Sequence, residues 1–294
     1  MNNKIRNGFT LLELSIVILV IAGMVVAITS SKEVLKKSRL ANARSLTQQS
    51  VVNNLSDDLI AWFETSLESS FLSKEQKSDG VKITKWFDNN KNLALKNTAT
   101  SPATLANQPT YISRAFYDAI PGVRFDGASY MDFDGSKLAN SSYTIFVVEQ
   151  RRSNKNFNFF IAGSNPTLNK NLHLGYRSNN VVTQDHYNNG ININVKNYST
   201  PTPAIHTFLF NNFIGKKYSL SSNFSTTGAS NSSANLAPIT SYDNSRIGIY
   251  TNATSNSYYI GDLAEIIIFK RSLKTEEVNA IKNYLGSKYG IPVS

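Results

Sequence analysis

Cysteine is missing from all 294 residues. Its absence removes disulfides, thiolate metal ligands, a cysteine nucleophile and thiol redox chemistry together. It leaves an extracytoplasmic address open, because a chain this long can build a core that needs no covalent staple. Histidine is nearly as scarce: His173, His186 and His206 are the only three. They are too far apart in sequence for zinc spacing and read as surface or strand histidines. No Gly-rich phosphate loop and no serine-nucleophile context occurs. Apolar residues are not scarce. With 41% hydrophobic and 11% aromatic residues the chain has the material for a sizeable core and is not disordered as a whole.

Acidic residues are outnumbered, 20 against 30 Lys and Arg, giving a formal charge of +10. A balance of that size raises nucleic acid as a partner. The basic residues are scattered, however, apart from Lys32, Lys36, Lys37 and Arg39, and no helix-turn-helix, zinc-finger or RNA-recognition motif is visible. A solvated basic surface accounts for the charge, with DNA or anionic lipid left open as weak contacts. The polar residues are rich in Asn and Ser, as long, turn-rich connections require.

One long hydrophobic run stands near the start. Lys4-Ile5-Arg6-Asn7-Gly8 leads into Phe9-Thr10-Leu11-Leu12-Glu13-Leu14 and on through apolar residues to Ile28. A secretory signal places its small-residue cleavage site after the apolar run. Here Gly8 precedes it, so cleavage would leave the hydrophobic segment on the mature chain. Phe9 to Ile28 is 20 residues, about 30 Å as a helix and enough to cross a bilayer. Glu13 is the one carboxylate inside that span, a costly placement that usually marks a function. A new amine at Phe9 of a neighbouring copy could neutralise it.

Gly8 to Glu13, behind Lys4 and Arg6, closely resembles the class III signal of type IV prepilins and pseudopilins. That resemblance implies a leader peptide 1–8, cleavage between Gly8 and Phe9 by a prepilin peptidase, N-methylation of Phe9, and Glu13 as the residue guiding subunit assembly. It also implies a single pass through the inner membrane with the head outside the cytoplasm, followed by entry into a pilus, a pseudopilus or the cell surface. The implied partners are the peptidase, other pilin subunits, the pilus or secretion assembly machinery and the inner membrane. More basic residues follow the span than precede it, so the positive-inside tendency alone would hold the head in the cytoplasm; a dedicated processing motif outweighs that bias. Past Ile28, Val34, Leu35, Leu40, Ala43, Leu46, Val51 and Leu55 keep near-helical spacing without Gly or Pro, so 9–55 reads as one transmembrane and stalk helix.

From 56 to 294 the pattern is β. Strand-like pieces run at Leu59–Phe63, Val81–Asp88, Val123–Phe125, Tyr130–Phe133, Tyr143–Val148, Phe157–Ala162, Leu172–Tyr176, His206–Phe213, Lys217–Leu220, Arg246–Tyr250 and Tyr258–Phe269. Ile145–Val148 and Ile266–Phe269 are apolar on both faces and read as central strands buried on both sides. A final helix spans Thr275 to Tyr289, with Thr275 as N-cap, Glu276 and Glu277 in its first turn, a stripe of Val278, Ile281 and Leu285, and Gly290 as its stop. The chain is therefore mainly β, a sandwich or jelly roll behind a long N-terminal helix.

Several pieces in order resemble a concanavalin A-like, laminin-G-type lectin/glucanase domain: Trp86-Phe87-Asp88-Asn89, Gln108-Pro109-Thr110-Tyr111, Val123-Arg124-Phe125-Asp126-Gly127, and Gly261 to Phe269 with the terminal helix. The stretch from Asn169 to Asn244 carries no matching piece. Glucanases of that fold carry a Glu-x-Asp-x-x-Glu strand motif, which is absent, so no catalytic residue is assigned and the head reads as a non-enzyme. Asp132 with Asp134, and Asp262 with Glu265, read as structural pairs. Asp126-Gly127 and Asp132-Phe133-Asp134-Gly135 could offer oxygen ligands to calcium, which related lectin folds use at their rim, although Asp-Gly turns account for the same residues; no cofactor is otherwise implied and no metal ligand is assigned. Tyr176, Tyr187, Tyr198, Tyr242, Tyr258 and Tyr259 lie near Asn-rich loops, where rings could stack on sugars, yet none is singled out as a ligand site.

The expected function is a type IV pilin-like subunit, minor rather than bulk because of its large head, carrying a lectin-like recognition or adhesion module with glycans as possible partners. The alternatives are a pseudopilin of a type II secretion or DNA-uptake system and, less favoured, a membrane-anchored glycan hydrolase.

Overall fold

In the computed structural model the described residues run from 11 to 293, apart from 93, 95, 164–166, 196–200, 214–216, 226–228, 233–237, 243–244 and 252–255. Gly8 and Phe9 therefore lie outside the described residues, as does Tyr198. The chain opens with α1 (Leu11–Gln48), 38 residues and about 57 Å long. Leu11 to Val26 is exposed on every side, and among the described residues this is the one helix long and apolar enough to cross a membrane. Glu13 sits exposed in its first turn.

The helical stripe ends earlier than its spacing implies. Val34 and Leu35 are exposed, and only from Leu40 and Ala43 onward does α1 bury a face. The α-helix stops at Gln48 instead of Leu55. The Ser50 hydroxyl accepts from the Val52 N–H at 3.2 Å and caps a 3-10 segment, Val51–Asp58. Asn53 turns back to donate to the carbonyls of Thr47, Gln48 and Ser50. Local side-chain bonds thus satisfy the last carbonyls and break the α-helix where periodicity alone would extend it.

Two antiparallel sheets of eight strands follow. The first runs β14 (Ala229–Ser232), β13 (Lys217–Ser222), β12 (Ala204–Asn211), β7 (Tyr143–Arg151), β18 (Ile260–Phe269), β5 (Ile120–Asp126), β4 (Thr110–Phe116), with β1 (Leu59–Glu64) also on β18. One long edge of β18 pairs with β7, while the other is shared between β5 at Ile260–Leu263 and β1 at Glu265–Phe269. A register shift between Leu263 and Glu265 marks the change of partner. The second sheet runs β11 (Gly190–Asn194), β10 (Val181–Asp185), β9 (His173–Ser178), β8 (Asn158–Gly163), β15 (Ser245–Ile247), β6 (Met131–Phe133), β3 (Thr98–Thr100), β2 (Lys85–Phe87). A ribbon of β16 (Ile249–Thr251) and β17 (Asn256–Tyr258) leaves the sandwich beside it.

As expected, β7 and β18 lie side by side at the centre, buried along their apolar stretches. Two expected strands are each split. Arg246–Tyr250 breaks at Gly248, whose φ of +87° lies where a side chain is strained, and whose missing Cβ leaves room for the Phe125 ring. Tyr258–Phe269 breaks at Tyr259. The alternation at Val81–Asp88 yields only the short β2. β3, β4, β10, β11 and β14 have no counterpart among the strands expected from sequence, because their sequences are polar or interrupted by polar residues and short of apolar signal.

The main core fills the space between the sheets, with Phe63, Trp86, Phe125, Tyr143, Phe160, Tyr176, Phe208 and Tyr259 among its large members. A second core covers the outer face of the first sheet. There Ala43 of α1, Val52, Trp62, Phe116, Phe146 and Ile267 meet Ile281 and Leu285 of α2 (Thr275–Tyr289). Thr275 is the first helical residue of α2 and not its cap. Glu277 instead reaches back to accept the Lys274 N–H at 2.8 Å, while gripping Arg271 at 2.7 and 2.8 Å. That Arg271 contact, above all, holds the Glu277 carboxyl down at about 2. The helix ends at Gly290 with φ +62°, as its sequence implies.

Candidate functional site

Helices cover the outer face of the first sheet, while on the outer face of the second, among the described residues, only the β16–β17 ribbon packs, over Phe159 and Ala162. Strand alternation decides what that second face displays. Along β9, Leu174 and Tyr176 point into the core, which leaves His173, Gly175 and Arg177 outward. β10 and β11 likewise turn Val182, Ile191 and Ile193 inward and Thr183, Asp185 and Asn192 outward.

A groove of about 260 Å³ forms here, lined by Phe157, Phe159, His173, Arg177, Asp185, Tyr187, Asn188, Tyr250 and Ser257. Its floor is a packed aromatic group. Phe159 stacks on the His173 ring at 5.1 Å, and Tyr250 meets the same imidazole edge-on at 4.5 Å. Tyr187 approaches it at 5.7 Å, and Phe157 lies 6.2 Å from Phe159. Phe157, at 45% exposure, offers a ring at the rim. Gly175 lies between His173 and Arg177 at φ +148°, and a Cβ there would come within 2.6 Å of the Phe159 Cα. Only glycine keeps that part of the floor open.

The polar side of the groove is one ion pair. Arg177 Nη2 lies 2.5 Å from Asp185 Oδ2, and Asp185 also accepts the backbone N–H groups of Asn188 and Asn189 at 3.3 and 2.7 Å. Burial pushes the His173 imidazole down to about 4, against the pull of Asp185 at 3.8 Å, so the ring is neutral at physiological pH. Nε2 of His173 and Nε of Arg177 are buried and meet no hydrogen-bond partner among the described residues. Three rim residues, Phe157, Tyr187 and Asn188, have positive φ of 55°, 54° and 63°. Such backbone is uncommon outside Gly and gathers at functional sites.

A neighbouring depression of about 240 Å³ shares Arg177, Asp185 and Asn188 and continues over Thr183, Gly190 and Asn192. The combined surface has the makings of a small-molecule site: ring faces, amides and one fixed guanidinium–carboxylate pair. Among the described residues Asp185 is the only carboxylate lining either part; glycoside hydrolysis in its usual form uses two.

Of the residues weighed in the sequence, His173 and Tyr187 line the groove and the other described ones fall elsewhere. Of the five described tyrosines, Tyr176, Tyr242 and Tyr259 are buried in the main core, Tyr258 is half-buried in β17, and Tyr187 lines the groove. All three histidines are buried, none at the surface. His206 bonds Glu149 in the interior at 3.0 Å, and His186 is held between the hydroxyls of Tyr143 and Tyr218. The aspartates considered for calcium serve their own turns and pairs. Asp126 accepts from Ala128 and Ser129, Asp134 from Ser136, and Asp132 pairs with Arg246 at 2.8 Å. Among the described residues no group of three His, Asp or Glu side chains is placed to hold a metal.

Asp262 and Glu265 are structural, as expected, but far more deeply set than their turn-like context implies. Asp262 is fully buried and bound by Arg124, Arg152 and Gln150. Glu265 is the hub of a second buried constellation, accepting from Trp62 Nε1 at 2.6 Å, Tyr284 at 2.8 Å, Tyr289 at 2.9 Å and Lys288 Nζ at 2.8 Å. The second carboxylate on Lys288 is Glu64, at 3.0 Å. The groove residues Arg177, Asp185 and Tyr250 were not singled out in the sequence. The run His173-Leu174-Gly175-Tyr176-Arg177 contains their signal, since its alternation puts Tyr176 inside and His173 and Arg177 outside.

No family model and no curated protein matches the chain. Solved structures do. A GH54 α-L-arabinofuranosidase is similar at a TM-score of 0.58 and 11% identity, over 81% of this chain and 64% of that one. The Trypanosoma rangeli sialidase in complex with sialic acid is similar at 0.50 and 12%, over 79% of this chain and 33% of that one. Domain 4 of an arabinanase from Geobacillus stearothermophilus, in complex with arabinotriose, matches at 0.49 and 14%, over 75% and 96%. The chain thus spans about a third of the sialidase and under two thirds of the arabinofuranosidase. At these identities the first two likenesses describe the fold, a β-sandwich of two antiparallel sheets.

Proposed function

We propose that the chain is a membrane-delivered, pilin-like subunit whose concanavalin A-like head binds a glycan in the groove on the second sheet. The observation that carries the glycan reading is the groove itself. Phe157, Tyr187 and Tyr250 surround a pocket whose polar wall is the Arg177–Asp185 pair. Aromatic rings take the apolar face of a sugar while a fixed donor–acceptor pair reads its hydroxyls. The groove lies on the second sheet, whereas the end of α1 packs on the first.

The pilin-like part rests on the N-terminal motif and on α1. That helix is mostly apolar and exposed from Leu11 to Val26, and its last turns are fastened to the head at Ala43 and Leu46. Gly8 and Phe9 would be the leader junction, Phe9 the methylated residue and Glu13 the assembly residue. The test of the glycan reading is a glycan array probed with the full-length chain in detergent. Wild-type chain is expected to retain a defined set of glycans, and Tyr187→Ala to lose them. An array with no retained glycan would overturn the reading.

A further inference from the structure

The groove holds two compartments that meet at Arg177, Asp185 and Asn188. One has an aromatic floor. The other lies over β10 and β11, with Thr183, Gly190 and the exposed Asn192 along it. A Cβ on Gly190 would fall 2.1 Å from the Gln184 carbonyl oxygen, so this strand position is held to glycine and the second compartment keeps a bare backbone floor.

The lining charges cancel. Among the described residues, Arg177 and Asp185 are the only charged residues lining either compartment, and they are joined to each other at 2.5 Å. Asp185 cannot swing away without freeing the N–H groups of Asn188 and Asn189. His173, buried beneath, is neutral and adds no cation. A carboxylate on an incoming sugar would therefore meet Asp185 and no uncancelled positive charge, and desolvating it there would be costly. Hydroxyls face no such penalty. The Arg177 side chain keeps 36% of its surface exposed, so the guanidinium presents an accessible edge beyond the nitrogen committed to Asp185.

Building on the glycan reading above, we infer that the groove selects a neutral oligosaccharide of at least two rings. One ring packs on the aromatic compartment, the next lies over Asn192, and the Arg177–Asp185 pair reads hydroxyls at the junction between them. The neutralised pair acts as a filter against sialylated and uronic-acid glycans.

The test is calorimetric titration of the full-length chain in detergent micelles with neutral mono-, di- and trisaccharides and with sialylated and uronate-containing counterparts. Neutral disaccharides are expected to bind about tenfold or more tighter than either monosaccharides or acidic disaccharides. Asn192→Ala should weaken disaccharides and leave monosaccharides unchanged. Asp185→Asn should raise the affinity for acidic sugars, and Tyr187→Ala should weaken every sugar, with thermal melts confirming that each variant folds. If acidic sugars bind as tightly as neutral ones and Tyr187→Ala abolishes both, the charge filter is wrong while the glycan site stands. Equal affinity for mono- and disaccharides would overturn the two-ring groove. If no sugar of any class binds, both the inference and the glycan reading fall.

Discussion

Lys288 Nζ lies 2.8 Å from Glu265 and 3.0 Å from Glu64, and all three side chains are fully buried. In sequence, Lys288 has the place of an ordinary basic residue in the last turn of a helix, where it would complement the dipole from solvent. In the fold it is the pin between α2, the central strand β18 and the first strand β1. Burial alone would lower the Lys288 ammonium and raise the Glu64 carboxyl; the facing charges, with hydrogen bonds to Glu64 from Ser66, Ser70 and Leu67, reverse both directions. Tyr284, a donor to Glu265, also lies 3.3 Å from the Thr47 hydroxyl near the end of α1, so the cluster reaches the stalk.

Removing one partner of such a group leaves a charge stranded in the interior, which costs about 3–5 kcal/mol. Lys288→Met should destabilise the chain by that amount in chemical unfolding, and Lys288→Met with Glu265→Gln should recover part of the loss. A cost below about 1 kcal/mol for the single variant, the size expected of a surface pair, would contradict the role given to the cluster.

The stalk carries exposed pairs as well. Glu33 grips Arg114 at 3.1 and 2.7 Å, and Arg44 reaches Glu68 at 3.1 Å. These are solvent-screened and set orientation more than stability, so Arg114→Ala should leave the unfolding midpoint essentially where the wild type has it. What holds the stalk is burial of Ala43, Val52 and the partly buried Leu46. A fragment beginning at residue 56 loses all three and should unfold at least about 2 kcal/mol more easily than one beginning at residue 31. Equal melting of the two fragments would mean that the stalk merely touches the head.

The His173 imidazole, lowered from an ordinary value near 6.5 to about 4, links stability to acidity. Above pH 6.5 it is neutral folded and unfolded, and its contribution to stability is complete. Between 6.5 and 4 the unfolded chain takes up a proton that the fold refuses, so stability falls as pH falls, by roughly 3 kcal/mol in all. Below 4 this loss levels off. His173→Gln should flatten the unfolding profile across that window; a profile identical to wild type would show that another group carries the dependence.

At the N-terminus, replacing Gly8 with a bulky residue should block removal of residues 1–8, as read by mass spectrometry of the mature chain. Glu13→Val should leave membrane insertion intact and reduce incorporation into filaments. Normal processing of the first variant, or normal incorporation of the second, would contradict the prepilin reading.

The architecture was legible where side chains are apolar on a clear period. β7 and β18 declared themselves as central strands, and the terminal helix as a capped amphipathic element. Legibility ended where polar local chemistry decides. Ser50 and Asn53 stop α1 short of Leu55, Glu277 rather than Thr275 caps α2, and the polar outer faces of β10 and β11 hide two strands. The groove was hidden for a related reason. Its residues come from β8, β9, β10, β16 and β17 and the turns beside them, which only the fold brings together, and abundance of tyrosine near Asn-rich loops pointed as readily to the core residues Tyr176, Tyr242 and Tyr259 as to the rim.

The most direct measurement is the binding of neutral oligosaccharides to the full-length chain, wild type against Tyr187→Ala and Arg177→Ala, at matched folding. Both substitutions are predicted to weaken binding by about tenfold or more, since each removes one wall of the groove. Binding that survives both variants unchanged, or no binding by the wild type, would contradict a glycan site on the second sheet.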